Sequence, residues 1–159
     1  AGTAPVDSGH PVGGNMSAPI PWNALIEAAR KAARDAYCPY SRFPVGAALL
    51  ADDGIVFTGC NIENSSFGLS VCAERVALWR ALASGARTFS ALALAAGRDR
   101  AAPPCGACRQ VLREFCPPAL PLRCVPLSSA EPRESEWTLG QLLPNAFDGQ
   151  SLSQGDPPL

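Results

Sequence analysis

Histidine is almost missing from this chain: His10 is the only one in 159 residues. It stands in a stretch that offers no partner group and is read as inert. A zinc site closed by an imidazole would have to draw on that one ring. Methionine is equally scarce, with Met16 alone, so part of the segment around it reads as a processed or added leader. An excess of charge is lacking too, since 13 Lys and Arg against 14 Asp and Glu leave a formal net charge of −1. Without a basic face for phosphate contacts, no nucleic-acid partner is expected. No apolar run approaches the roughly 20 residues that cross a bilayer, which argues against a membrane partner. No basic-then-apolar leader opens the chain, and no internal repeat runs through it.

What is present suits one globular domain, with 47% of residues hydrophobic. Residues 1–20 are rich in Gly, Pro, Ala and Ser and read as a flexible tail, 21–149 as the domain, and 150–159 as a second tail. The seven cysteines fall at positions 38, 60, 72, 105, 108, 116 and 124. An odd count in a chain of this size fits a reducing, cytoplasmic compartment better than a disulfide framework.

Hydrophobic periodicity lays out the elements. Trp22, Leu25, Ile26, Ala29, Ala33 and Ala36 recur at helical steps after Pro21, and Pro39 is expected to stop that helix. Val45 to Ala51 and Ile55 to Ile62 read as strands around an Asp52-Asp53-Gly54 turn. On the second strand Asn61 and Glu63 share one face. A helix opening at Cys72 carries Val76, Ala77, Trp79, Ala81 and Leu82 inward and ends at Gly85. Phe89 to Ala96 is an apolar strand buried on both faces. Pro104 starts another helix, with Val111, Leu112 and Phe115 on its apolar side. Leu120 to Leu127 reads as an edge strand, because Pro118, Pro121 and Pro126 lie in and around it. Glu131 to Trp137 is a polar linker or a ragged last strand, and Leu139 to Leu143 a short helix. Strands alternating with helices imply an α/β fold with helices on both faces of a mixed sheet.

The chemistry lies in Val71-Cys72-Ala73-Glu74-Arg75 and, about thirty residues on, Pro104-Cys105-Gly106-Ala107-Cys108. Three thiols can hold one zinc ion and leave its fourth position to water, which marks a catalytic rather than a structural site. Cys105 and Cys108 project together from one helical turn. Both helix N-termini aim positive dipole ends at the site and offset the charge of three thiolates. Arg75 can do the same by donating to a ligand sulfur. Glu74 is placed to take a proton from a water made acidic by the metal and to pass it to N3 of a cytosine ring. Water then adds at C4 and ammonia leaves. Three cysteines plus a glutamate at this spacing are the signature of zinc-dependent nucleobase deaminases.

Taken with Tyr37 to Ala48, Gly59 to Asn64, Arg109-Gln110 and Leu142 to Phe147, these motifs make the sequence resemble the small homotetrameric cytidine deaminases that act on free nucleosides. The resemblance covers roughly residues 37–149. It implies a three-layer α/β/α sandwich on a mixed five-stranded sheet, and one Zn²⁺ per subunit on Cys72, Cys105 and Cys108. Glu74 would be the catalytic carboxylate and Arg75 its neighbour behind the ligands. Phe43 would stack on the pyrimidine, Asn61 and Glu63 would hold the ribose, and the backbone at Ala73 would read the base. Phe147 would enter a neighbouring subunit's pocket, making a homotetramer with shared sites. The reaction implied is deamination of cytidine and deoxycytidine in pyrimidine salvage.

Phe67 stands where relatives often carry Tyr, and residues 121–137 depart most from the family pattern. Three other readings stay open on the residues: a deaminase of polynucleotides, a purine or guanine deaminase, and a non-catalytic zinc module. The last would need a fourth protein ligand.

Overall fold

The computed structural model describes residues 19–98, 101–128 and 134–152. Most of both expected tails therefore lies outside the described residues. Strands β1 (Val45–Ala51), β2 (Val56–Cys60), β3 (Phe89–Ala96), β4 (Pro121–Val125) and β5 (Ser135–Thr138) form one sheet in the order β2-β1-β3-β4-β5. Only β3 and β4 run parallel, so the sheet is mixed, as expected. Helix α1 (Trp22–Ala33) covers one face, and α2 (Ala73–Ala83) and α3 (Gly106–Phe115) cover the other, giving the α/β fold in three layers. Two short helices follow, α4 (Leu139–Leu142) and α5 (Gly149–Leu152).

Each strand of the centre sends alternate residues to opposite layers. Ala48 and Leu50 of β1 and Ala91, Ala93 and Ala95 of β3 meet Leu25, Ile26 and Ala29 of α1. Ala47 and Leu49 of β1 and Leu92 and Leu94 of β3 meet Ala77, Leu78 and Leu112 from α2 and α3. β3 is buried along almost its whole length, which is why its sequence is a continuous apolar run. Each fully buried Leu contributes about 1.5–3 kcal/mol relative to exposure. The Asp52-Asp53-Gly54 turn forms as its sequence dictates, with Gly54 at φ +87°. The end of α2 does likewise: Gly85 at φ +92° lets the Gly85 and Ala86 N–H groups donate to Leu82 and Ala81.

Two elements differ from what the sequence suggests, and a third takes one of the two forms expected of it. β4 is an inner strand, not an edge, because β5 pairs with its outer side. Its prolines cost the ladder little: Pro121 is the first residue of the strand and Pro126 follows the last. The segment expected to be a linker or ragged strand supplies that outer strand at 135–138. Helix α1 ends at Ala33 rather than running on to Pro39. Arg34, Asp35 and Ala36 tighten into turns with three-residue spacing, and the Tyr37 N–H then donates to the Asn61 carbonyl at 3.0 Å. The chain leaves the helix early in order to pair beside the end of β2.

Candidate active site

Two helix starts and one strand end converge here. Past β2 the chain continues as single bridges, with Ile62 paired to Tyr37 on one side and to Val71 on the other. Asn61 and Glu63 are thereby carried beside Cys72. Cys72 and Cys105 occupy the N-cap positions of α2 and α3 in extended conformation, and neither cap is closed by a side-chain hydrogen bond. Cys108 lies on the first turn of α3. The Sγ atoms of Cys72, Cys105 and Cys108 lie within 4.8 Å of one another, the only such thiol or acidic group of three or more among the described residues.

The fit to a metal can be tested on these sulfurs. Tetrahedral zinc with Zn–S near 2.3 Å requires sulfurs about 3.8 Å apart, and Cys72 and Cys105 stand at 3.9 Å. All seven cysteines are unpaired, so no disulfide competes for these thiols. The cluster is already electrostatically prepared. The Cys72 thiol is pulled down to about 5, first by a hydrogen bond from Cys108 and then, against the cost of burial, by Arg75 and Cys105. Cys108 is pushed well above the usual thiol range by the bond it shares with Cys72, by burial and by the Glu74 charge. Protons are thus shared among sulfurs that a single cation would hold together. This set of three thiols suits a metal ion.

Glu74 is the one buried charged residue among the described positions, 4% exposed, on the first turn of α2. Burial foremost, aided by the nearby Cys72 charge, pushes its carboxyl up to about 7. A carboxylate poised near neutrality can both accept and return a proton. Arg75 donates through Nη2 to Cys72 Sγ at 3.7 Å and to the Ser70 carbonyl at 3.4 Å. Burial disfavours its charge, but hydrogen bonding to Cys72 and the charges of Cys108 and Cys72 prevail and keep the guanidinium protonated. Trp79 lies one helical turn on, with its ring 5.9 Å from the guanidinium carbon. It is 48% exposed, where the helical pattern had suggested an inward position.

These groups open into a cleft of about 410 Å³ lined by Ser41, Phe43, Val45, Asn61, Glu63, Cys72, Glu74, Leu94, Ala96, Ala102, Pro103 and Cys105. The Asn61 amide ties down the neighbouring loop: Oδ1 accepts from the Val45 N–H at 2.8 Å, and Nδ2 donates to the Phe43 carbonyl at 3.0 Å. One Nδ2 proton and one Oδ1 lone pair remain for a ligand. Glu63 Oε2 accepts from the N–H groups of Tyr40 and Ser41 at 2.9 and 3.2 Å. The Ser41 hydroxyl, ahead of those two N–H groups, holds its carboxyl below the usual value. Arg42 adopts φ +54°, and the reversal there turns Phe43 toward the cleft.

The structure therefore gathers Phe43, Asn61, Glu63, Cys72, Glu74 and Cys105 around one cleft. Cys108 and Ala73 lie buried behind it. Phe147 is not among the lining residues and is 61% exposed. Ser41 was missed from sequence, since a lone serine in a turn carries no pattern. A second cleft, of about 360 Å³ between α1, Pro44 and Leu127, contains no thiol and no buried carboxylate.

Comparison with known proteins agrees with this geometry. Residues 22–123 match the family described as the cytidine and deoxycytidylate deaminase zinc-binding region. A cytidine deaminase of Sporosarcina psychrophila is 49% identical over 129 residues, 81% of this chain and 93% of that protein. One from Mycobacterium tuberculosis is 45% identical over 128 residues, 80% of this chain and 90% of that protein. The crystal structure of cytidine deaminase from Burkholderia pseudomallei superposes with a TM-score of 0.74 at 48% identity, covering 79% of this chain and 98% of that one.

Proposed function

The chain belongs to the cytidine deaminase family, and from that membership and the site we propose that it hydrolyses free cytidine and deoxycytidine to uridine and deoxyuridine, releasing ammonia. The observation that carries this is the three-thiol cluster beside a buried glutamate, at the floor of a cleft rimmed by Asn61 and Glu63. Cys72, Cys105 and Cys108 would hold one Zn²⁺ per subunit. When bound there, zinc supplies the Lewis acidity that makes a water acidic near neutral pH.

The chain's own residues do the rest. Glu74 accepts the water proton at its carboxylate and delivers it to the ring N3, so that C4 becomes electrophilic. The water oxygen bonds to C4, Glu74 carries the second water proton to the 4-amino group, and the C4–N bond breaks to release ammonia and leave a C4 carbonyl. Phe43 stacks on the pyrimidine and the backbone at Ala73 reads its edge. The free proton and lone pair of Asn61, together with the Glu63 carboxylate, hold the sugar hydroxyls. Arg75 offsets the negative charge of the sulfurs. A carboxylate facing the ribose repels a 5′-phosphate, so nucleotides are excluded.

The reading extends to assembly. Tyr37, Tyr40, Phe67, Leu69 and Phe147 are all about half exposed or more. Exposed apolar side chains of this size, two of them (Tyr40 and Phe67) edge to face with ring centres 5.6 Å apart, suit a partner surface. We take that partner to be a copy of this chain, in a homotetramer in which Phe147 enters a neighbour's cleft. Seven unpaired thiols support a reducing cytoplasmic location, and the reaction fits pyrimidine salvage. Among the described residues no helix is long and apolar enough to cross a membrane.

Ammonia release from a panel of cytidine, deoxycytidine, CMP, adenosine and guanine tests the reading, with zinc content and native mass measured on the same sample. Turnover of the two free pyrimidine nucleosides, one zinc per chain and a fourfold mass support it. CMP consumed as fast as cytidine, or purines preferred, would falsify it.

A further inference from the structure

The C-terminal stretch after α4 is fastened to one helix by side chains that the reaction does not use. Asn145 at φ +55° reverses the chain and lays residues 146–148 against α3. Two residues of α3 three positions apart, Gln110 and Arg113, receive it, and Arg109 beside them ties α3 to the end of α4. Arg109 donates through Nε to the Pro104 carbonyl at 2.7 Å and through Nη1 to the Leu142 carbonyl at 2.8 Å. Gln110 Nε2 donates to the Phe147 carbonyl at 2.7 Å. Arg113 pairs with Asp148 at 3.0 Å, with both side chains about one-quarter exposed.

The segment so fixed leaves its largest apolar side chain out. Phe147 is 61% exposed although its own carbonyl and the side chain of the next residue, Asp148, are both held by α3. Ordering a chain costs free energy that burial normally returns, and here the ring buries little within the chain. What these bonds fix is the direction in which the ring leaves.

We propose that Gln110 is a positioning residue for the deamination reaction, its side-chain amide setting the orientation of Phe147 toward the substrate. It acts with the Arg113–Asp148 pair. The same helix carries Cys105 and Cys108 at its start, so α3 sets the metal ligands and the aromatic ring from one rigid element. This rests on the reading of Phe147 as a substrate contact in a neighbouring subunit.

A double-mutant cycle on the zinc-loaded enzyme tests it, using Gln110→Glu and Phe147→Ala. Gln110→Glu keeps the size of the side chain but removes the donor. Phe147→Ala should raise KM for cytidine by about tenfold, the loss expected for one aromatic contact. Gln110→Glu should raise it by about threefold, one hydrogen bond's worth, with kcat and melting temperature nearly unchanged. The double variant should match Phe147→Ala alone, because a ring that is gone needs no positioning. Additive effects, or a silent Gln110→Glu beside an effective Phe147→Ala, overturn the inference and leave the Phe147 reading standing. An unchanged KM in Phe147→Ala overturns both.

Discussion

The sheet has two faces, built by the same strands with opposite contents. Toward α1, β3 presents Ala91, Ala93 and Ala95, and β1 presents Gly46 where the helix backbone crosses. Toward α2 and α3 it presents Leu92 and Leu94, and at that end lie the thiols and Glu74. Small side chains and Gly46 bring the α1 backbone close to the sheet, and the cleft beside α1 holds no thiol and no buried carboxylate. α2 also comes close, with its Ala73 and Ala77 backbone lying over Gly59 of β2, but on this side the starts of α2 and α3 bring the thiols and Glu74 into one cleft. One face is a prop and the other a workshop. Damage to the first should therefore change stability without chemistry, and damage to the polar groups of the second should do the reverse.

The largest expected effect breaks the chemistry alone. Glu74→Gln removes the proposed proton acceptor while keeping its shape, and kcat should fall by about a hundredfold to ten-thousandfold. Zinc content and the urea midpoint should stay at wild-type values, since Glu74 is not among the clustered thiols. Loss of the metal in this variant would show that Glu74 serves the site's architecture, and the contrast between faces would blur.

Next comes the opposite face. A Cβ on Gly46 would overlap the Ala29 carbonyl and crowd the Ala33 amide nitrogen at 2.5 Å, both backbone atoms of α1 that cannot swing away. Gly46→Ala should lower the unfolding free energy by about 3 kcal/mol or more. The folded fraction should retain its zinc and its kcat. A variant that unfolds no more easily in urea would mean that α1 is free to slide, contrary to a close-packed prop.

How much of this was legible in the sequence follows the same division. The thiols and Glu74 were visible because metal chemistry demands fixed residue types at fixed spacing, and Cys72, Cys105 and Cys108 do lie together. β3 was visible because burial on both faces leaves a continuous apolar run. β4 was misplaced at the edge because prolines flanking a strand look, in sequence, like prolines within one. Trp79 was expected inward, since spacing along a helix does not say which side meets the sheet. Arg109 and Gln110 entered only as part of a family motif with no role attached, and Arg113 gave no signal. Apart from the nearby Pro104 carbonyl, their partners are backbone carbonyls and one carboxylate 33 to 37 positions away, and backbone partners leave no residue pattern to read.

Neighbouring residues on β3 sharpen the contrast further. Leu92→Ala would open a cavity on the α2/α3 side, at about 2–5 kcal/mol. Ala93→Val would overpack the α1 side, at about 1–3 kcal/mol. Both residues are fully buried one position apart, so urea melts of the pair compare void with crowding in a common background. If the faces differ as described, the Leu92 variant also raises KM, by loosening the wall beside Leu94, while the Ala93 variant does not.

The smallest effect concerns a residue where site and stability overlap. Glu63 has its carboxyl held below the ordinary carboxylate value, chiefly by the Ser41 hydroxyl and, against some burial, by the Tyr40 and Ser41 N–H groups. A depressed folded value means that the unfolded chain takes up its proton first as pH falls. The Glu63 contribution is therefore complete above the unfolded pKa of about 4.3 and disappears as pH drops through the lower folded value. Glu63→Gln should remove that slope. The wild-type advantage in urea would be flat from about pH 7 to pH 5 and would shrink below about pH 4. A difference that stays constant through the acid range would show that Glu63 holds the Tyr40–Ser41 turn by shape rather than by charge. Its effect on KM at neutral pH would then be the only electrostatic one left to it.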